Sequence, residues 1–376
     1  MKRARIVSLL LIVALILSCT ACGNAPTDVE NNVTPTPAPT EQAEPATPTP
    51  EPATPTPVPA TPTPTVAPTS IPSVTDNPSA TDLTTEAQKE EEPVDPYAIV
   101  DKVPLSAFTP KYMHGSKIEE ITYTTKAYYG NEEELTKKAF VYLPANYDES
   151  KQYNVLYLMH GIGGNEREWG MVDITSKVKA MMDNLVEEGI IEPFIIVAPN
   201  GRSSADFANT NADFNAFYSF GKELRNDLIP YIDANFATYA EYSEDGYDLT
   251  AARDHRALAG LSMGGMQTTN IGMCECLDIL SWFGAFSAAP TTYTASKIAS
   301  ILQQDFEDYT INYYYALCGT GDGIALASAR SAVTGLTALT DKLTDGENFT
   351  WQTRSGGHDF DIWYLGFYNF AKIVFR

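Results

Sequence analysis

Histidine is scarce in this sequence: there are four, His114, His160, His255 and His358, and they are widely separated. Basic residues are also few, with 25 Lys and Arg against 48 Asp and Glu, for a formal net charge of -23. A chain this acidic is not expected to partner nucleic acid, because binding phosphates requires a basic footprint. It also carries no polybasic membrane-binding patch beyond its extreme N-terminus. Of five cysteines, Cys19 and Cys22 lie near the N-terminus, leaving Cys274, Cys276 and Cys318 for the rest. An odd number excludes a full disulfide framework. With no second cysteine pair and no suitable histidine cluster, nothing suggests zinc. No metal or cofactor is expected, and the three later cysteines read as small core hydrophobes.

The N-terminus reads as a targeting segment. Lys2, Arg3 and Arg5 precede an apolar core, Ile6 to Leu17, too short to span a membrane as a mature helix. The core ends in Ser18-Cys19-Thr20-Ala21-Cys22-Gly23, which resembles a bacterial lipoprotein signal. That resemblance implies a signal peptide over 1–22 and a lipid on Cys22, with Cys19 as the alternative anchor. Residues 23–96 form a Pro/Thr-rich linker in which Ala46-Thr47-Pro48-Thr49-Pro50 recurs at Ala53 and at Ala60. Such a composition favours extended, polyproline-like chain and cannot build a core. It reads as a stalk between the cell envelope and one folded domain, residues 97–376.

Within that domain, short apolar runs alternate with amphipathic stretches. Asn154 to His160 and Pro193 to Pro199 read as central strands buried on both faces. Glu120–Ala127, Lys137–Leu143, Ala257–Ala259, Trp282–Ser287, Tyr313–Cys318 and Phe349–Thr353 are further strands. Helices are expected over Val172–Glu188, Tyr218–Ile232, Gly265–Met273, Ala325–Thr344 and Asp361–Phe375. This alternation implies an α/β fold, a mostly parallel sheet with helices on both faces. Chemistry in such sheets sits at the carboxyl ends of the strands. His160, Ser262, Asp322 and His358 all fall there.

Gly260-Leu261-Ser262-Met263-Gly264 has the G-x-S-x-G pattern of a nucleophile elbow, in which a serine stands on a sharp strand-to-helix turn. The flanking glycines are needed where side chains would collide with the neighbouring strand and helix. A nucleophilic serine requires a base, and the base an orienting acid. In the order serine, acid, histidine, His358 is the one histidine after Ser262 and therefore the candidate base. Asp278, Asp305, Asp308, Asp322, Asp341 and Asp345 lie between them. Asp322 is preferred, because it directly follows the Tyr313–Cys318 strand in a glycine-rich turn. The backbone N–H of Met263 faces a developing oxyanion, and the turn His160-Gly161-Ile162-Gly163-Gly164 would supply a second donor from Ile162. His160 reads as a packed histidine that shapes this loop.

These motifs, with Asn226-Asp227-Leu228-Ile229-Pro230-Tyr231-Ile232, Ser287-Ala288-Ala289-Pro290 and Gly356-Gly357-His358-Asp359-Phe360, resemble the feruloyl esterase modules of carbohydrate esterase family 1 attached to bacterial xylanases. The resemblance covers the domain from about Lys117 onward. It implies the α/β-hydrolase fold, with Ser262 as nucleophile, His358 as base, Asp322 as acid and Met263 N–H as oxyanion donor. Gly321 and Gly323 flank Asp322 where the family often has Asn before the acid and a bulkier residue after it. The implied substrate is an acylated plant polysaccharide or oligosaccharide, and the implied enzyme is extracellular and held to the membrane only by its N-terminal lipid. Aromatic residues near the expected catalytic loops suit a hydroxycinnamoyl group, and Trp363 and Trp169 are the candidate pocket walls. Acetylxylan esterases share the same motifs, and acyltransferases of the mycolyltransferase type share the triad. A surface binding protein on an inactive hydrolase scaffold is a third alternative, against which the complete triad argues.

Overall fold

The computed structural model describes residues 95–111, 115–243 and 246–376, all within one compact unit, Glu86–Arg376. The expected signal peptide, Cys19, Cys22, nearly all of the linker and His114 lie outside the described residues. β1 (Lys117–Lys126) and β2 (Glu134–Leu143) form an antiparallel pair. β3 (Val155–Met159), α1 (Lys177–Glu187) and β4 (Ile195–Pro199) follow. Next come a 3-10 segment (Phe214–Ser219), α2 (Phe220–Glu223), a π turn (Leu224–Leu228) and α3 (Ile229–Asn235), which continue one another. A small hairpin, β5 (Glu241–Ser243) with β6 (Gly246–Asp248), precedes β7 (Arg256–Leu261) and α4 (Met263–Gln267). The chain then runs through β8 (Trp282–Phe286), α5 (Ala295–Asp305), β9 (Tyr313–Gly319), α6 (Leu326–Val333), α7 (Leu336–Leu339), β10 (Phe349–Arg354) and α8 (Phe360–Ala371).

The eight strands of the main sheet lie in the order β1-β2-β4-β3-β7-β8-β9-β10. β2 meets β4 antiparallel, and from β4 to β10 every pairing is parallel. The two faces are buried by different helices, as period-two alternation requires. In β7, Leu258 joins a core with residues of α2, α3, α5, α6 and α7. Ala257, Ala259 and Leu261 join the opposite core with residues of α1 and α8. This is the mostly parallel sheet with helices on both faces that the alternation of apolar runs predicts, and the α/β-hydrolase architecture that the resemblance implies. Among the described residues no helix is long and apolar enough to cross a membrane.

Several boundaries differ from expectation. The helix expected from Val172 starts at Lys177, where the Ser176 side chain caps it by accepting from Lys179 N. The helix expected over Ala325–Thr344 is two short ones, because Gly335 takes the left-handed conformation at φ 75°. The Tyr218–Ile232 stretch is helical but interrupted by the π turn at Leu224–Leu228. Helix α5 lies outside the expected helices. Cys274, Cys276 and Cys318 are free and buried, as expected, and burial pushes each thiol up to about 12.

Candidate active site

Ser262 stands between β7 and α4 with φ 53° and ψ -112°, a conformation that costs energy for a residue with a side chain. Three backbone bonds hold it there. Its N–H donates to Phe286 O at 2.9 Å, and its carbonyl accepts from Met266 N at 3.0 Å and Ala289 N at 2.9 Å. The flanking glycines are required by close approach. A Cβ on Gly264 would lie 2.6 Å from Met159 O, and one on Gly260 would lie 2.7 Å from the Gly264 carbonyl carbon.

Asp322 follows β9 and His358 follows β10, so both reach the carboxyl edge of the sheet beside Ser262. His358 Nε2 lies 3.0 Å from Ser262 Oγ, and His358 Nδ1 lies 2.8 Å from Asp322 Oδ2. Asp322 Oδ1 accepts from Ile324 N at 3.0 Å and Ala325 N at 2.8 Å. Burial opposes ionisation of Asp322, but the bonds from Ala325, His358 and Ser287 outweigh it and hold the carboxyl below its usual range. An ionised Oδ2 places the imidazole proton on Nδ1, which leaves Nε2 free to accept from the serine hydroxyl. Asp322 is fully buried at its side chain while His358 retains some exposure, so the line runs from the interior toward solvent. Of the aspartates weighed from the sequence, Asp322 is the one bonded to His358.

The His160–Gly164 turn after β3 packs against the elbow: a Cβ on Gly161 would lie 3.3 Å from Ser262 Cβ. Among the described residues the N–H groups of Ile162 and Met263 donate to no protein acceptor. His160 fixes this turn from beneath, with Nδ1 2.7 Å from Gly161 O and Nε2 accepting from Gly201 N at 2.8 Å. Burial, with Arg202 and Lys137 adding to it against the opposing Gly161 bond, lowers the imidazole to about 3, so it is neutral at ordinary pH.

Two residues of this turn's support went unnoticed in the sequence. Arg202, fully buried, donates to the carbonyls of Gly164 (2.7 Å) and Ile162. Its guanidinium also stacks 4.7 Å from the centre of the Phe217 ring. Glu168 accepts from Gly161 N at 2.5 Å, and burial raises its carboxyl above the usual range. Arg202 is braced in turn by Lys137, whose ammonium donates to Asn200 O, Arg202 O and Glu223 Oε1 within 2.9 Å. The signal available in the sequence was the position of Asn200-Gly201-Arg202 at a strand end. Nothing local said that the arginine turns inward.

The expected pocket walls fare differently. Trp169 is no pocket wall. It is 1% exposed, donates from Nε1 to Met159 O at 2.9 Å, and is enclosed by Phe286, Phe360, Tyr364 and Phe367. An indole this large, with a backbone acceptor in reach, is more stable in the core. Trp363 is also largely buried, but it meets His358 edge to face at 5.1 Å, so it backs the imidazole. Exposed apolar side chains lie elsewhere on the same edge. Ile162, Phe214, Tyr293 and Ile324, on loops after β3, β4, β8 and β9, are 48%, 44%, 37% and 59% exposed. Beneath them Tyr218 packs on a separate small cluster of Phe217, Met263, Met266 and Ala289.

Comparison with known proteins agrees with this architecture. The family described as "Putative esterase" matches residues 133–271, which include the elbow. The chain is 33% identical over 211 residues to "Endo-1,4-beta-xylanase Y" of Acetivibrio thermocellus, a match covering 54% of this chain and 18% of that protein. It is 34% identical over 186 residues to an "Endo-1,4-beta-xylanase/feruloyl esterase" of Xylanibacter ruminicola, covering 48% of this chain and 22% of that protein. The matched part is thus about a fifth of either relative's length. Among solved structures, a mutant of the feruloyl esterase module from Clostridium thermocellum complexed with sinapinate superposes with a TM-score of 0.60 at 28% identity, covering 73% of this chain and 93% of that one. A CE1 ferulic acid esterase from the anaerobic fungus Anaeromyces mucronatus shares the fold, with a TM-score of 0.59 at 24% identity, over 74% of this chain and 98% of that one. The chain has the α/β-hydrolase fold, and over its folded domain it is similar to feruloyl esterase modules.

Proposed function

We propose that this protein is a secreted serine esterase that releases hydroxycinnamoyl groups, such as ferulate, from plant cell-wall polysaccharide. The observation that carries the reading is the continuous line Ser262 Oγ, His358, Asp322 at 3.0 and 2.8 Å. In this reading His358 Nε2 takes the Ser262 proton as Oγ attacks the ester carbonyl. The oxyanion is held by the N–H groups of Met263 and Ile162, and Asp322 stabilises the imidazolium. Collapse expels the sugar alkoxide, which takes the proton from His358 and leaves an acyl-enzyme. Water then attacks that ester with His358 again as base, and Ser262 is regenerated.

Two features support an aromatic acyl group. Apolar side chains are exposed on four loops at the catalytic edge, where a planar phenolic acid would remove them from water and an acetyl group would leave them exposed. The solved structures similar to this chain include a feruloyl esterase module bound to sinapinate. The N-terminal sequence motivates the localisation, an extracellular enzyme tethered through a lipid on Cys22.

The test compares methyl ferulate with acetylated xylan on one preparation, alongside Ser262→Ala. Ferulate release is expected to dominate, and Ser262→Ala to lower kcat by on the order of 10⁶-fold. Efficient acetate release with negligible ferulate release would leave an acetylxylan esterase on the same residues. Labelling with a palmitate analogue is expected to vanish in Cys22→Ala. Loss in Cys19→Ala instead would move the anchor, and no labelling in the wild type would refute it.

A further inference from the structure

A cavity of about 710 Å³ opens at the end of the sheet opposite Ser262, within the roughly 300–1,000 Å³ usual for small-ligand sites. Its lining comes from the points where strands begin. Asn154 precedes β3, Pro193 precedes β4, His255 precedes β7, Trp282 begins β8 and Asn312 precedes β9. His255 and Ser262 bracket the same strand, so at about 3.3 Å per residue the cavity lies roughly 20 Å from the nucleophile. The triad cannot reach it.

The cavity's chemistry is specific. Tyr239 and His255 stack face to face, with centroids 3.6 Å apart and planes 8° apart, which gives a flat, rigid wall. His255 Nδ1 lies 2.7 Å from Asn154 Oδ1, so that nitrogen carries the proton and Nε2 remains an acceptor. Burial lowers the His255 pKa against the nearby Asp254, which favours the neutral ring. The Trp282 indole is locked by its bond to Asp254 O at 2.9 Å, and the Asn312 amide by its bond to Ser281 Oγ at 3.0 Å. Charge on the lining is balanced: Lys151 and Arg376 stand against Glu192 and Asp254. A balanced lining has no preference for phosphate or for an acidic or basic peptide. Asn154, with its Oδ1 engaged by His255, presents its amide N–H groups, and Asn312, with its Nδ2 engaged by Ser281 and Asp254, presents its carbonyl oxygen. One donating and one accepting amide beside flat ring faces suit a ligand that alternates hydroxyl groups with C–H faces.

We propose that this cavity is a non-catalytic binding site for a neutral saccharide, which holds the enzyme on the polysaccharide while the opposite edge cleaves esters. The proposal rests on the polysaccharide reading above for its biological ligand, but the site binds sugar whether or not the triad is active. The protein would grip unacylated backbone at one end of the sheet and process side-chain esters at the other.

The test is hydrogen exchange of the wild-type domain with and without unacylated xylohexaose, repeated with cellohexaose and mannohexaose. Protection is expected around residues 152–154, 239–240, 254–255 and 312, with none at 161–164 or 322–324. Tyr239→Ala and, separately, Gln152→Ala are expected to weaken saccharide binding tenfold or more. Both should leave kcat/KM on methyl ferulate unchanged while lowering the rate on insoluble feruloylated xylan. Absence of protection at millimolar concentrations of every oligosaccharide would overturn the proposal. So would protection confined to the catalytic edge, or binding unaffected by both variants. If methyl ferulate proves not to be a substrate but the protection is seen, the esterase reading fails and the saccharide site stands.

Discussion

His160 gives the fold a calculable sensitivity to acid. The imidazole is buried, bonded at both nitrogens, and held at about 3 within the folded protein. In the unfolded chain an imidazole titrates near 6.5. Because the folded value is depressed for a base, the unfolded state binds the extra proton. Stability is therefore complete above about pH 6.5 and falls as pH drops toward about 3, by up to about 1.4 kcal/mol per unit. Between pH 7.5 and pH 5 the loss from His160 alone is about 2 kcal/mol. For a domain of this size that is roughly 4 °C in Tm. The assay is Tm by scanning fluorimetry at pH 7.5, 6 and 5, in wild type and in His160→Gln. Gln keeps a donor and an acceptor but does not titrate, so it is expected to start less stable at pH 7.5 and to lose less on acidification. His255, also lowered, contributes equally to both proteins and cancels in the comparison. Parallel Tm curves for the two proteins would refute the reasoning.

Asp322→Asn is expected to fold normally and to lose about 10⁴-fold in kcat, because an amide at this position favours the wrong imidazole tautomer; steady-state kinetics beside Asp341→Asn and Asp345→Asn, both expected active, checks it. Arg202→Gln frees the carbonyls of Ile162 and Gly164 and should lower kcat about 10²-fold with little change in KM; a rise in KM alone would show that Arg202 touches substrate. Trp169→Ala removes a fully enclosed indole and should cost about 3–5 kcal/mol of stability by denaturant titration; an unchanged midpoint with a raised KM would return Trp169 to the pocket.

Much of the catalytic edge is legible in the sequence because its geometry depends on local rules. G-x-S-x-G after an apolar run is the pattern of an elbow, and in the order serine, acid, histidine the one histidine downstream is the candidate base. Asp322 was legible because it directly follows a strand. What was not legible depends on distant partners. Arg202 and Lys137 are charged residues turned inward by carbonyls that become neighbours only when β2, β3 and β4 come together. Trp169 differs from expectation because proximity in sequence to the oxyanion turn does not tell which way an indole points. Helix α5 does carry a local signal, since Ala295, Ile298, Ala299 and Leu302 repeat at helical spacing. The antiparallel start of the sheet leaves no mark on periodicity, since alternation is the same in either direction.

The strained Ser262 and His358 are 96 residues apart in sequence, and Asp322, which lies between them, is 36 residues before His358. Each arrives on the end of a different parallel strand, so none can meet until β7, β9 and β10 are in register. Contacts this distant are among the last to form, because chain closure is costly before packing compensates it. The region from residue 133 to 271 contains Ser262 but neither His358 nor Asp322, so a nascent or cleaved chain of that extent carries the elbow without the imidazole and carboxylate bonded to it in the full fold. Under the proposed function, ester turnover is a late reporter of assembly: in refolding it should recover only after the helical signal, when the far edge of the sheet has docked.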